Sequence, residues 1–159
     1  MIVVADTTPL NYLVLIGEIE LLPLLYQKVL IPPRVHQELL RPQTPDDVLA
    51  WATSLPSWCE VRAVRFIADT SLADVDAGER EAILLALEAS ATELLMDDRA
   101  GRRAAARHSL AVTRTLGVLK QAALIGAVDL RDAFHKLEQT NFRMTDRFKA
   151  DFWRRNVKP

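Results

Sequence analysis

A single cysteine, Cys59, stands among 159 residues. No disulfide can therefore form within the chain, and a reducing, cytoplasmic setting is expected. Glycine and proline number only five and eight, too few for a low-complexity linker or a collagen-like rod. Long apolar runs are missing too. The longest, Ala82 to Leu87, has a Glu at each end, so no membrane span is expected. The first residues, Met1-Ile2-Val3-Val4-Ala5-Asp6, lack a basic stretch and a cleavage site, which predicts a chain that is not secreted. Histidine is scarce, and His36, His108 and His135 show no zinc-like spacing to one another or to Cys59. What remains is ordinary: half the residues are apolar and 26% are charged, enough for one domain with one sheet-centred core.

Net charge is −1, but its distribution is lopsided. Residues 1–98 hold 16 Asp/Glu against 6 Lys/Arg, and residues 99–159 hold 5 against 14. Either the halves interleave and neutralise each other, or the asymmetry marks a charged site or an anionic partner.

Short apolar runs at residues 2–5, 29–31, 60–66, 93–96 and 110–113 read as strands, the third at an edge. Helical patterns lie between and after them: one started by Thr7-Thr8-Pro9 and running to 25, broken at Gly17 and near Pro23, then 33–40, 46–52, 77–90, 99–108, 116–125, 129–139 and 145–154. Alternation of strand and helix predicts an α/β fold with a mostly parallel sheet covered on both faces. Ligands of such sheets sit beyond the carboxyl ends of the strands. Two strands end there in acids, at Asp6 and at Asp97-Asp98.

Glu38 follows the second strand on a helix. Glu79 is singled out by angle: at 100° per residue it falls at the centre of the apolar face containing Ala82, Ile83, Ala86 and Leu87, whereas Glu81 and Glu88 fall on the polar face. A carboxylate aimed at a core needs a partner, a cation or an exposed helix end. The last is available if Asp76 and Glu79 form a capping box. Asp6 could likewise be a helix cap, Asp97-Asp98 a turn and cap before the helix at Arg99, and Glu38 an ordinary surface residue. Taken together, these acids would repel one another without a counterion, and a hard divalent cation, Mg²⁺ or Mn²⁺, meets that need. Such a site can activate water and hold a phosphate's charge. Arg99, Arg102, Arg103 and Arg107 follow directly and share much of one helix face, as either a solvated surface or a cradle for a phosphodiester backbone. The tail from Arg147 to Lys158, with Phe148, Phe152 and Trp153, either extends that surface or packs on a partner.

Five segments together resemble a PIN-domain protein: Val4-Ala-Asp6-Thr-Thr-Pro-Leu10, Ile31-Pro-Pro-Arg-Val-His-Gln-Glu38-Leu39, Asp76-Ala-Gly-Glu79-Arg-Glu-Ala-Ile83, Leu95-Met-Asp97-Asp98-Arg-Ala-Gly-Arg102 and Thr115-Leu-Gly-Val-Leu119. The Gly-Glu and Asp-Asp-x-x-Gly-Arg signatures are similar to those of a prokaryotic branch related to the toxin nucleases of type II toxin–antitoxin pairs. The resemblance implies a three-layer α/β/α fold, with a core over residues 1–126 and a C-terminal helical extension of the same domain over 127–159. It further implies a Mg²⁺- or Mn²⁺-dependent endoribonuclease that forms homodimers, with RNA as substrate and an antitoxin peptide as a candidate partner. By position, Asp6, Glu38, Glu79 and Asp97 would form the acidic quartet, Asp98 an additional metal-side acid, and Thr7 and Thr115 hydroxyls near the metal or phosphate. The chain departs from the pattern at Arg114, where Gly is usual, and at Glu79, where better-known toxins carry Asp. An alternative is a PIN-like module that binds RNA or an antitoxin without cutting. A phosphatase of the haloacid-dehalogenase kind would need a second Asp where Thr8 stands, and a receiver domain would place its acidic pair after the first strand.

Overall fold

The computed structural model describes residues 1–65 and 70–156. Five short strands alternate with helices. In chain order these are β1 (Ile2–Ala5), α1 (Thr7–Leu15), α2 (Leu21–Leu25), β2 (Lys28–Ile31), α3 (Pro33–Leu39), α4 (Asp46–Thr53) and β3 (Cys59–Val61). A 3₁₀ turn (Thr70–Leu72) precedes α5 (Ala77–Glu88), β4 (Glu93–Leu95), α6 (Arg99–Arg107), β5 (Val112–Thr113), α7 (Thr115–Leu124), α8 (Leu130–Glu138) and α9 (Asp146–Asn156). All strand pairs are parallel, in the order β3-β2-β1-β4-β5. The chain builds outward from β1 on one side through β2 and β3, then returns to its other side with β4 and β5. The switch point therefore lies between β1 and β4, where Val3 pairs with Glu93 and Ala5 with Leu95. This is the expected α/β sandwich of three layers.

Alternation along the strands sorts the core into two faces. Val3, Ala5, Val29, Ile31 and Leu95 pack under α1 to α4 and α7 to α9, whereas Val4, Leu30, Leu94 and Met96 pack under α5 and α6. Among the described residues no helix is long and apolar enough to cross a membrane.

Differences from the expected boundaries have local causes. Helix α1 stops at Gly17, whose φ of 74° suits a left-handed cap. There Glu18 N–H donates to Leu13 O and Gly17 N–H to Val14 O. Pro23, expected to interrupt a helix, instead occupies the first turn of α2, where no intrahelical N–H is required. The third strand ends at Val61 because its one neighbour among the described residues ends: Arg62 N–H donates to Ile31 O, the last residue of β2. Phe66, the end of the expected strand, lies outside the described residues, as does Lys158. Helix α5 is covered nearly all round, burying Leu84 and Leu85 and leaving Leu87 38% exposed. The aromatic tail packs inward: Phe152 stacks on Phe134 at 4.9 Å and Trp153 meets the Phe134 ring edge at 4.6 Å.

Candidate acidic site at the sheet switch point

Asp6 is the first residue past β1, and its N–H donates to Leu95 O of β4. Asp97 lies two residues beyond β4. The two acids thus emerge side by side at the switch point. Asp6 is 5% exposed and precedes α1, yet its carboxylate makes no capping hydrogen bond. Burial pushes its pKa from 3.8 up to about 7. A hydrogen bond from the Thr7 backbone opposes this, and the charges of Glu38, Asp76 and Asp97 add to it.

The other two acids arrive on helices. Glu38, on α3, accepts a 2.5 Å hydrogen bond at Oε2 from Thr7 Oγ1, which ties its carboxylate to the end of β1. On its other side lies Gly78 at the start of α5: a Cβ there would meet Glu38 Oε1 at 2.6 Å. Glu79 is 8% exposed, held up to about 8 from 4.5 by burial first and then by Asp76, Asp98 and Asp6. Half a capping box is present, since Asp76 Oδ1 accepts from Glu79 N–H at 2.9 Å. The Glu79 side chain is nevertheless buried, as its angle on the helix predicted. Gly101 of α6 packs against it: a Cβ would stand 3.3 Å from the Glu79 carboxyl and 2.5 Å from Met96 Sδ. Both motif glycines therefore make room for a carboxylate of the cluster.

Asp97 is fixed by α7. Thr115 N–H donates to its Oδ1 at 3.1 Å and Thr115 Oγ1 to its Oδ2 at 2.5 Å. Arg114 Nε stands 4.0 Å from Oδ1. Burial raises the Asp97 pKa, against the Thr115 hydrogen bonds and the Arg114 and Arg102 charges. Asp98 is exposed and caps α6, accepting from Gly101 N–H at 3.1 Å, so its part is structural as well as electrostatic.

The acids line one edge and feel one another, but among the described residues no group of three His, Cys, Asp or Glu side chains stands close enough to hold a metal ion. The donor set is nevertheless chemically suited to a hard cation. It offers carboxylate oxygens only, two of them buried and shifted toward neutrality, and Mg²⁺ commonly binds through one or two carboxylates while keeping its waters.

The arginines divide. Helix α6 starts at this edge and runs away from it, about 12 Å over nine residues. Arg99 and Arg103 are exposed. Arg102 folds back, its Nε donating to Asp97 O at 3.1 Å. Arg107, at the far end, pairs with Asp74 at 3.1 Å and also donates to Ser71 O; it is not brought to the acids.

Several residues at the edge carried no distinctive signal. Asp76 reads as a cap alone, yet its charge reaches both Asp6 and Glu79. A cleft of about 450 Å³ opens beside Asp97 and Asp98, lined also by Thr8, Tyr12, Arg114, Asn141, Phe142 and Arg143. Its far wall comes from the turn between α8 and α9, more than 40 residues away in sequence.

A family model described as PIN domain matches residues 2–156. No curated protein and no solved structure matches the chain. PIN domains are generally nucleases and typically use divalent metals. Coverage of nearly the whole chain, together with the parallel five-stranded sheet and its acid-lined switch point, means that the chain belongs to the PIN-domain family.

Proposed function

We propose that this protein is a divalent-metal-dependent endoribonuclease that hydrolyses phosphodiester bonds of RNA. One observation carries the reading: Asp6 and Asp97 emerge from adjacent strands at the switch point, with Glu38 and Glu79 brought alongside by α3 and α5. Asp6, Glu38, Glu79 and Asp97 would hold Mg²⁺ or Mn²⁺, with Asp98 as an additional acid. When bound, the ion supplies positive charge that polarises the phosphate and acidifies water. Thr7 and Thr115 orient Glu38 and Asp97. Arg99, Arg102 and Arg103 would bind the RNA backbone near the acids, whereas Arg107 is engaged by Asp74.

The test is cleavage of RNA with Mg²⁺ or Mn²⁺, comparing native protein with Asp6→Asn. The native protein should cut and the variant should lose roughly 10²-fold or more; equal rates would defeat the reading. A toxin role, an antitoxin peptide as regulator and a cytoplasmic setting belong to the same proposal, as does a homodimer, for which exposed Leu24, Leu124 and Ile125 on α2 and the α7 end offer apolar surface.

Arg114 favours a second reading, a module that binds RNA or antitoxin without cutting, because its guanidinium already sets a positive charge 4.0 Å from Asp97. Calorimetry with Mn²⁺ separates the two: heat of binding at physiological metal concentration speaks for the nuclease.

A further inference from the structure

The sheet ends at β5, and among the described residues no strand lies beyond it. Its inner side is paired: Leu94 N–H donates to Ala111 O and Met96 N–H to Thr113 O, with Leu95 in register with Thr113. In a parallel ladder, successive residues turn their backbone groups to opposite sides. Val112 N–H and C=O therefore point outward, away from β4. So does Arg114 N–H, because the chain stays extended through Arg114 (φ −85°, ψ 167°). Helix α7 lies close beneath this edge, since Gly117 has no Cβ to meet Thr113 Cγ2, which would stand 2.9 Å away. Between them runs a groove of about 370 Å³, lined by apolar Leu116 and Phe148 and by the cations Arg114 and Lys120; among the described residues no carboxylate lines it. Arg114 is shared with Asp97, 4.0 Å away. Lys120 is exposed and forms no ion pair among the described residues. At the opposite edge, β3, Glu60 is already paired with Lys28 and Arg62.

We infer that the β5 edge docks an extended acidic peptide segment of a partner protein, which adds a strand beside β5 and sets its carboxylates toward Lys120 and Arg114. The outward groups alternate between N–H and C=O, and another peptide backbone answers both kinds in register. A nucleic-acid strand presents phosphate acceptors and leaves the Val112 C=O without a donor. A second copy of this chain laid edge to edge would set two Lys120–Arg114 pairs along one seam, and like charges of that kind protect edges from self-pairing. An acidic chain meets neither obstacle. The surface lies outside the acidic site, so the inference stands apart from the nuclease reading.

The experiment titrates the metal-free, isotope-labelled protein with a blocked peptide of about six residues, alternating valine and glutamate, and follows backbone amides by NMR. The Val112 and Arg114 amides should shift along one saturating curve and exchange their hydrogens more slowly as the peptide fills the edge. Lys120→Glu, at an exposed position, should leave the rest of the spectrum in place and weaken the peptide by about fivefold. Lys120→Arg should bind as the native protein does. The counterpart peptide with lysine for glutamate should leave the native amides unmoved. No response of Val112 and Arg114 to the glutamate peptide, or an equal response to the lysine peptide, overturns the inference. So does a single-stranded RNA of about ten nucleotides that moves these amides where the peptide does not, which gives the edge to nucleic acid. Movement of the same amides with protein concentration alone gives it to a second copy and overturns the inference as well.

Discussion

Burying Asp6 and Glu79 beside other acids has a thermodynamic consequence that can be measured without substrate. The Asp6 carboxyl is raised from 3.8 to about 7. At 1.36 kcal/mol per pK unit, that is roughly 4 kcal/mol of folding free energy once the group is fully ionised. The sign follows from proton counts. Between the unfolded and folded pKa values the native state binds more protons than the unfolded chain, so stability is present below about pH 4 and is lost as pH rises through 7. Between pH 5 and pH 8 Asp6 alone should remove roughly 3 kcal/mol from the metal-free protein. Glu79, raised to about 8, acts in the same direction, but the two carboxyls titrate as an interacting set and their effects do not simply add. A 159-residue chain loses about 2–4 °C in Tm per kcal/mol, so the drop from Asp6 is about 6–12 °C. The assay is thermal melting by circular dichroism in EDTA at pH 5 and pH 8, for the native protein and for Asp6→Asn. The native Tm should fall across that range, the Asn variant should fall by less because only the Glu79 share remains, and Mn²⁺ at pH 8 should raise the native protein alone. Parallel pH profiles for the two proteins would refute the reasoning.

Three other perturbations separate geometry from stability. Gly78→Ala introduces a Cβ at 2.6 Å from Glu38 Oε1. The carboxylate end of Glu38 can swing aside and Ala favours the helix by up to about 1 kcal/mol, so Tm should change little while RNA cleavage falls. Thr115→Val removes the hydroxyl donor to Asp97 at a fully buried position. It should cost about 1.5–3 kcal/mol in urea unfolding at pH 7 and lower cleavage with it. Arg107→Ala breaks a half-exposed pair with Asp74; both stability, within about 0.5 kcal/mol, and cleavage should stay near native values.

Much of this architecture is legible in the residues. The strands Ile2–Ala5 and Lys28–Ile31 announce themselves through the short apolar runs 2–5 and 29–31, whose residues past the first of each strand are buried. Glu79 stands out because its helical angle conflicts with its charge, a conflict that survives although Leu84, Leu85 and Leu87 are not disposed as a one-sided face would have them. Asp6 and Asp97 stand out because each follows a strand end, where ligands of parallel sheets sit, and the likeness to the PIN pattern points to the same two; the crossover from β3 to β4 explains how residues more than 90 apart become neighbours. Other features depend on tertiary structure and leave no local trace. Arg107 looks equivalent to Arg99 in sequence, and only helix direction and the position of Asp74 separate them. Asn141, Phe142 and Arg143 fall in an unremarkable turn whose destination is set by how α8 and α9 pack through Phe134, Phe152 and Trp153. The end of β3 depends on where its neighbour stops, which periodicity in one segment cannot report.

The central claim is that these separated carboxylates form one cation site. Anomalous diffraction from a crystal soaked in Mn²⁺ tests it most directly. A manganese peak should stand within ligand distance of Asp6 or Asp97 at the ends of β1 and β4 and be lost in crystals of Asp6→Asn. A well-ordered native crystal with no peak at that edge, or with manganese bound only elsewhere, would contradict it.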